Sequence, residues 1–249
     1  GPRRVKVGGD EGCAAADLFC ETIQSKPDCV LGLATGSTPL PLYAELVRRY
    51  RAGKADFSKA RSVNLDEYVG LGPEHPQSYR YFMQRQLFDH INIPVENACL
   101  PDGLAEDLDA VCAAYDDTIT DWGGIDMQLL GIGHNGHIGF NEPASVFTRR
   151  THLTDLTEST RKANQRFFNS LDEVPRQAIT MGIGTIMTAR KILLVCTGIK
   201  KADILERTFF GPIDPMVPAS VLQFHQNVTV VADEAALKTI LQKHPEFSA

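Results

Sequence analysis

Residues 126–143 read DMQLLGIGHNGHIGFNEP, and this stretch decides how the whole chain is interpreted. Its apolar run from Met127 to Ile132 is long enough for one buried strand. The run leads into a glycine-rich loop, where the backbone is free to adopt positive φ angles and to approach a ligand closely. Within residues 135–142 this loop carries an imidazole, a carboxylate and two carboxamides, from Asn135, His137, Asn141 and Glu142. The stretch predicts a ligand site at the carboxyl end of a parallel strand, where open α/β sheets bind small molecules.

A simpler interpretation of this loop is a strand-to-helix turn whose histidine is hydrogen-bonded to its neighbours and has no further role. A lone histidine would favour that interpretation, but here four polar side chains crowd into eight residues. A zinc site is not expected, because His134 and His137 are the only close histidine pair and no nearby residue completes the ligand set. The loop therefore favours proton-transfer chemistry.

The composition indicates a globular protein without a polyanionic partner. The 249 residues carry a net charge of −6 with a pI near 5.6, and no run of basic residues is present. This argues against nucleic acid or an anionic membrane surface as a partner. No apolar stretch approaches the roughly 20 residues of a membrane span. The six cysteines are scattered without a CxxC pair, which is typical of the reducing cytoplasm.

Predicted strands alternate with predicted helices along the chain. Apolar runs indicate strands at 3–7, 28–33, 61–65, 127–132, 192–196 and 228–231, and amphipathic spacing indicates helices that include 78–90, 106–122 and 179–187. This alternation predicts an α/β fold with one doubly wound, mostly parallel, Rossmann-like sheet that has helices on both faces. We expect a single domain over residues 1–249, with a mobile lid at about 145–175 that carries Arg166.

Four turns follow predicted strands and should therefore meet at one edge of the sheet. They span Thr35–Thr38, Asn64–Tyr68, Gly131–Glu142 and Gly198–Lys201. The first is a Gly/Ser/Thr turn at a helix N-terminus, which either holds a phosphate or simply caps the helix. It has neither the Walker spacing nor the dinucleotide-binding spacing. Together the turns predict proton transfer on a phosphorylated small molecule.

The motifs at these turns resemble those of a known family. LGLATGSTP, VNLDEYVGL, GIGHNGHIGFNEP and TGIKKA are together similar to the glucosamine-6-phosphate deaminases of the glucosamine/galactosamine-6-phosphate isomerase family, over nearly the whole chain. The related 6-phosphogluconolactonases share the sheet and a Gly-His signature, but they lack the NLDEY turn and the NEP ending. The resemblance is therefore specific to the deaminases.

The resemblance implies a reaction and a set of site residues. D-glucosamine 6-phosphate and water would become D-fructose 6-phosphate and ammonia, with no metal or organic cofactor. Asp66 matches the base that moves the C2 proton to C1, and His137 matches the residue that opens the pyranose ring. Glu142 matches the carboxylate that orients and charges the imidazole, and Asn135 stands at a relay position that is aspartate in some members. The phosphate pocket matches Thr35, Gly36, Ser37, Thr38, Arg166 and Lys201.

Three alternatives remain open at this stage. A 6-phosphogluconolactonase-like hydrolase would need no base at C2, and a related galactosamine-6-phosphate isomerase would differ only in the sugar. A non-enzymatic sugar-phosphate sensor would keep the phosphate turn and lose the acid and base groups, so it ranks last. The sequence does not distinguish a monomer from a homo-oligomer.

Overall fold

The structure, a computed structural model, describes residues 4–7 and 10–247 of the chain. Strands in that part are β1 (Arg4–Val7), β2 (Val30–Leu33), β3 (Arg61–Asn64), β4 (Asp66–Tyr68), β5 (Ala98–Cys99), β6 (Met127–Leu130), β7 (His152–Asp155), β8 (Gln177–Thr180), β9 (Lys191–Cys196) and β10 (Val228–Ala232). Helices are α1 (Glu11–Ser25), α2 (Leu40–Arg51), α3 (Tyr79–Gln86), α4 (Leu108–Asp121), α5 (Glu158–Asn164), α6 (Ile183–Met187), α7 (Ala202–Phe210) and α8 (Glu234–Lys243). Short 3₁₀ helices lie at Phe88–His90, Val95–Asn97, Gln165–Phe167, Leu171–Glu173, Ile199–Lys201 and Pro218–Phe224.

Seven strands form one parallel sheet in the order β1-β10-β9-β6-β2-β3-β5. The chain builds outward from β2 through β3 to β5, and outward from β6 through β9 to β10. The strand order therefore reverses between β2 and β6, which is where doubly wound sheets open a binding crevice. The predicted α/β fold with a doubly wound parallel sheet is confirmed. Residue 3, which the first predicted strand included, lies outside the described residues.

A second sheet of three antiparallel strands, β4-β8-β7, was not predicted. The prediction of one helix over residues 179–187 is wrong in its first part, because Ile179 lies in β8 and the helix begins at Ile183. Ala178 and Ile179 are fully buried between β4 and β7. A four-residue apolar strand and one turn of a buried helix have the same hydropathy, so the sequence pattern does not separate them.

The segment at 145–175 is more regular than its sequence indicates. It contains β7 and α5, and β7 pairs with β8 along all four of its residues. Thr157 caps α5 by accepting a hydrogen bond from the backbone N–H of Thr160. The other predicted strands and helices are present, with ends displaced by one to four residues.

A buried carboxylate links the central strands of the sheet at their amino ends. At the amino ends, the Asp126 carboxylate accepts a hydrogen bond from the Val30 N–H and ion-pairs with Lys26 and Arg190. It thereby links β2 to β6 and to the residue before β9.

Among the described residues, none of the helices has both the length and the apolar character that crossing a membrane requires.

Gly103 packs against the backbone of β4, because a Cβ atom at this position would lie 2.1 Å from the Tyr68 carbonyl oxygen. Gly103→Ala should displace β4 and lower the free energy of unfolding by about 1–3 kcal/mol. Gly131→Ala is the matched control, since a Cβ atom there meets nothing within 4 Å. Urea unfolding measures both variants, and equal stabilities would contradict the predicted clash.

Candidate active site

A cavity of about 310 Å³ opens at the carboxyl edge of the parallel sheet. All four predicted turns contribute to its lining, which confirms that they meet at one edge. The lining includes Thr35 and Gly36 after β2, Asp66 after β3, the loop after β6, and Lys201 after β9. The cavity therefore lies at the point where the strand order reverses.

Asp66 is a buried carboxylate with no hydrogen-bond donor among the described residues. It is the first residue of β4 and is 8% exposed, with its remaining surface on the cavity. Burial, followed by the negative charge of the adjacent Glu67, raises the pKa of Asp66 to about 8. A carboxylate that lacks both water and donors is a much stronger base than one in solution. Asp66 is therefore suited to removing a proton from carbon.

The loop after β6 holds His137 through a relay of side chains. The Nδ1 atom of His137 lies 2.7 Å from the Oδ1 atom of Asn135, and the amide nitrogen of Asn135 donates to Glu142 at 2.8 Å. Glu142 itself is 3.7 Å from Nδ1, so it acts on the ring mainly through Asn135. Because a carboxamide oxygen only accepts, Nδ1 carries the proton and Nε2 is left as the acceptor.

The imidazole of His137 is neutral in this site. Burial lowers the pKa of His137, and the charges of Lys201 and His134 lower it further. The charge of Glu142 raises this pKa, but the net shift is downward. A neutral ring with one free nitrogen is able to take a proton from one oxygen and return it to another.

Glycine at 133 allows this ring to pack against the backbone. A Cβ atom at Gly133 would lie 2.0 Å from the imidazole carbon Cε1. The Gly133 N–H also donates to the His137 carbonyl oxygen at 3.0 Å, which closes the loop. Gly136 lies inside this turn with a φ of 88°, which a side chain disfavours.

The turn after β2 has the properties of an anion site. The hydroxyl of Tyr43 in α2 accepts a hydrogen bond from the Ala34 N–H and donates one to the Ala34 carbonyl, which fixes the start of the turn. None of the N–H groups at 35–38 donates a hydrogen bond within the described residues. They precede α2, whose dipole adds positive potential.

Lys201 supplies the cation on the other side of the cavity. It closes the 3₁₀ turn before α7, and its ammonium donates to the Ile132 carbonyl oxygen. Burial lowers the pKa of Lys201, so an anion in the cavity would favour its charged form.

Five of the predicted residues lie outside the lining of this cavity, and one of them, Asn135, borders it through its hydrogen bond to His137. Ser37 and Thr38 line an adjoining cavity of about 200 Å³, and Glu142 lines another of about 160 Å³. Arg166 is exposed in the 145–175 segment, with its guanidinium 4.5 Å from the Phe167 ring centroid. The catalytic and phosphate-binding roles of all predicted site residues remain predictions.

Two aromatic residues of the cavity were not predicted. Tyr79 and Phe140 both line it, with their rings parallel and their centroids 6.2 Å apart. Tyr68 packs beside Tyr79 with a centroid distance of 4.7 Å. Tyr79 directly follows the Ser78 cap of α3, but an aromatic residue at the start of an amphipathic helix is more often part of the core.

A larger cavity, of about 600 Å³, lies away from the predicted site, between α4 and residues 149–153. Asp116 in its wall is occupied by hydrogen bonds from the N–H and hydroxyl of Thr151 and from the hydroxyl of Thr185. Size alone therefore does not identify the chemical site. Within the described part of the chain, no group of three or more His, Cys, Asp or Glu side chains is placed to hold a metal ion.

The raised pKa of Asp66 predicts a pH dependence of stability. An aspartate ionises near pH 3.9 in the unfolded chain but near 8 here, so its contribution to folding is fully present below about pH 4 and is lost as the pH rises to about 8. Asp66→Asn should therefore raise the free energy of unfolding by about 2–4 kcal/mol more at pH 9 than at pH 5. Thermal and urea unfolding at both pH values measure the difference, and an equal effect at the two would contradict the assigned pKa.

Comparisons with known proteins identify the family of this chain. Residues 14–231 match the family described as glucosamine-6-phosphate isomerases/6-phosphogluconolactonase. A glucosamine-6-phosphate deaminase from Lachnoclostridium phytofermentans is 57% identical over 217 residues, which are 87% of this chain and 92% of that protein. Another from Clostridium perfringens is 54% identical over 226 residues, covering 91% and 93% of the two chains.

A solved deaminase structure is more similar to this chain than a solved lactonase structure is. A monomeric glucosamine-6-phosphate deaminase superposes with a TM-score of 0.90 at 43% identity, covering 95% of this chain and 99% of that one. A 6-phosphogluconolactonase from Trypanosoma cruzi gives a TM-score of 0.76 at 19% identity, covering 95% and 96%, which shows a shared fold alone. The chain belongs to the family of glucosamine-6-phosphate isomerases and 6-phosphogluconolactonases, in which it lies with the deaminases.

Proposed function

We propose that this protein converts D-glucosamine 6-phosphate and water to D-fructose 6-phosphate and ammonia. The observation that carries the proposal is Asp66, a buried carboxylate without donors that faces the same cavity as the neutral imidazole of His137. An aldose–ketose isomerisation requires a base for a proton on carbon and a separate group that moves protons between oxygens. Asp66 and His137 have these two properties.

Ring opening is the task of His137. Its free Nε2 accepts the proton of the O1 hydroxyl and delivers a proton to the ring oxygen, as the C1–O5 bond breaks and the C1 carbonyl forms. The Asn135 oxygen holds the Nδ1–H during the transfer, and Glu142 polarises Asn135 from behind. An amide stabilises the transient imidazolium less than a carboxylate would, so the charge of Glu142 is needed for this step.

Isomerisation and deamination follow at C2. Asp66 removes the C2 proton, and the electron pair forms the C1–C2 double bond of an enolamine, while the ammonium group of the substrate gives one proton to the carbonyl oxygen and becomes a neutral amino group. Asp66 then returns the proton to C1, which leaves a protonated imine at C2. Water adds to that carbon and ammonia leaves, giving the ketone of fructose 6-phosphate. The step needs no cofactor, because the amino group itself stabilises the intermediate.

The phosphate is held at the turn after β2. Free N–H groups at 35–38, the α2 dipole and Lys201 provide the positive potential that an acidic protein otherwise lacks. In this proposal residues 145–175 act as a lid within one domain, and closure brings Arg166 to the phosphate. A cytoplasmic location belongs to the same proposal and is supported by six free cysteines.

The lactonase alternative is less well supported. Hydrolysis of a sugar-acid lactone needs no base for a proton on carbon, so it gives no reason for a desolvated carboxylate at Asp66. The lactonase structures are 16–20% identical to this chain, whereas curated deaminases reach 57%. A galactosamine-6-phosphate isomerase would use the same groups and is separated by comparing the two amino sugars as substrates.

The direct test supplies D-glucosamine 6-phosphate and measures ammonia and fructose 6-phosphate together. The wild-type protein should form both in equal amounts, and Asp66→Asn should form neither. The variant should also lose exchange of the C2 hydrogen with solvent while keeping phosphate binding, because an amide accepts no proton from carbon. Exchange at C2 that persists in Asp66→Asn would overturn the assignment of the base, and hydrolysis of 6-phosphogluconolactone without ammonia formation would favour the lactonase.

The proposed lid predicts that Arg166 acts on the phosphate although it lies outside the cavity. Arg166→Ala and Lys201→Ala should each raise KM about tenfold to a hundredfold and change kcat less, because the lost contacts stabilise substrate and transition state alike. Lys162→Ala is the control from the same segment, since Lys162 is exposed and pairs only with Glu158 at 3.1 Å. An Arg166→Ala protein with the KM of Lys162→Ala would contradict the lid.

A further inference from the structure

Two adjacent carboxylates in β4 have opposite surroundings. Asp66 has no hydrogen-bond donor among the described residues, whereas Glu67 accepts three. Glu67 is more deeply buried, with 3% of its surface exposed, and it does not line the cavity. Side chains alternate along a strand, so Asp66 projects to one face of β4 and Glu67 to the other.

The three donors to Glu67 are backbone N–H groups. One oxygen accepts from Tyr68 at 2.8 Å and from Tyr79 at 2.9 Å, and the other accepts from Arg80 at 2.9 Å. Tyr79 and Arg80 are the first two residues of α3, whose N–H groups have no partner within the helix. Burial raises the pKa of Glu67, and the three N–H donors oppose that rise. No donor opposes the rise at Asp66, so Glu67 is the better stabilised anion of the pair.

This contact fixes two walls of the cavity relative to each other. Strand β4 carries Asp66, and α3 carries Tyr79 at its first position. Because Glu67 binds the backbone N–H of Tyr79, it sets the distance between the Asp66 carboxylate and the Tyr79 ring. The ring is further held between Tyr68 and Phe140.

The charge of Glu67 also acts on Asp66. Glu67 is the one neighbouring charge that contributes to the raised pKa of Asp66, after burial. Four tyrosines also lie around Asp66, and burial raises their pKa values, so they are neutral at the pH of the reaction: Tyr43, Tyr68, Tyr79 and Tyr115. The basic groups that face the same cavity are His134, His137 and Lys201. A fixed anion beside a base makes the base harder to ionise and stronger once ionised.

We propose that Glu67 is a positioning residue for the reaction: its carboxylate anchors the Asp66 strand to the first turn of α3, and its charge strengthens Asp66 as a base. The inference rests on the proposed function, because it assigns Glu67 a role in proton removal by Asp66. It differs from a purely structural role as a helix cap, which would affect stability without affecting the protonation of Asp66.

Glu67→Gln tests the charge at nearly constant shape. The amide oxygen is able to accept the hydrogen bonds from the N–H groups of Tyr68 and Tyr79. The amide nitrogen cannot accept the hydrogen bond from the N–H of Arg80, because both groups are donors. The acid limb of the kcat/KM profile reports ionisation of Asp66 in the free enzyme, so it should move down by about one pH unit. The plateau of kcat should fall about tenfold or more, because a weaker and less well placed base removes the C2 proton more slowly.

Glu67→Asp is the complementary variant, since it keeps the charge and shortens the reach. It should lower kcat through misplacement and leave the acid limb within about 0.3 pH units of wild type, because the anion remains. Asp107→Asn is the matched control, since Asp107 caps α4 through the Ala110 N–H and is not among the residues that line the cavity. It should lose stability without a change in the pH profile.

A direct titration keeps the proposal testable if Glu67→Gln does not fold. Carboxyl ¹³C NMR of the wild-type protein should show Glu67 ionising at a lower pH than Asp66. The reverse order would overturn the proposal, and so would an unshifted acid limb in a folded, active Glu67→Gln protein. A wild-type protein that forms no ammonia would refute the proposed function instead, whereas the NMR titration would still decide the charge relation.

Discussion

The reversal of strand order between β2 and β6 is the constraint on which the site depends. These strands run parallel side by side, so the turn after β2 and the loop after β6 emerge together at one edge. Gly32 leaves room between them for the side chain of the fully buried Gln128, because a Cβ atom there would lie 2.1 Å from its amide oxygen. The turn that we propose to bind the phosphate and the loop that we propose to transfer protons are distant in sequence, and they thereby share one crevice.

Burial moves Asp66, His137 and Lys201 in the crevice toward their neutral forms. It raises the pKa of Asp66 and lowers those of His137 and Lys201. A phosphate dianion would favour the charged form of Lys201, and an amino group near Asp66 would favour its carboxylate. In the proposed reaction the substrate therefore supplies the charges that complete the site, while the empty protein keeps few unpaired ions in its interior.

The sequence predicted the parallel sheet and the meeting of four turns because both follow from local signals, namely apolar runs and glycine-rich polar turns. It did not predict the second sheet, since β4 and β8 have only three and four residues and Ile179 is equally suited to a helix. The place of Tyr79 in the cavity also went unpredicted. It depends on how closely β4 and α3 approach each other, which residue patterns do not contain.

The contacts of the 145–175 segment define which part of it is able to act as the proposed lid. Its first part is anchored, because β7 pairs with β8 and Thr151 binds Asp116. In the later part, Arg161 donates to the carbonyl oxygens at 171 and 174 and joins α5 to the following turn as one unit. That unit contacts β4 through the amide of Asn164, which donates to the Tyr68 hydroxyl at 3.1 Å. Closure would therefore move residues 157–174 together, and the Asn164 contact would connect that motion to the strand that carries the base.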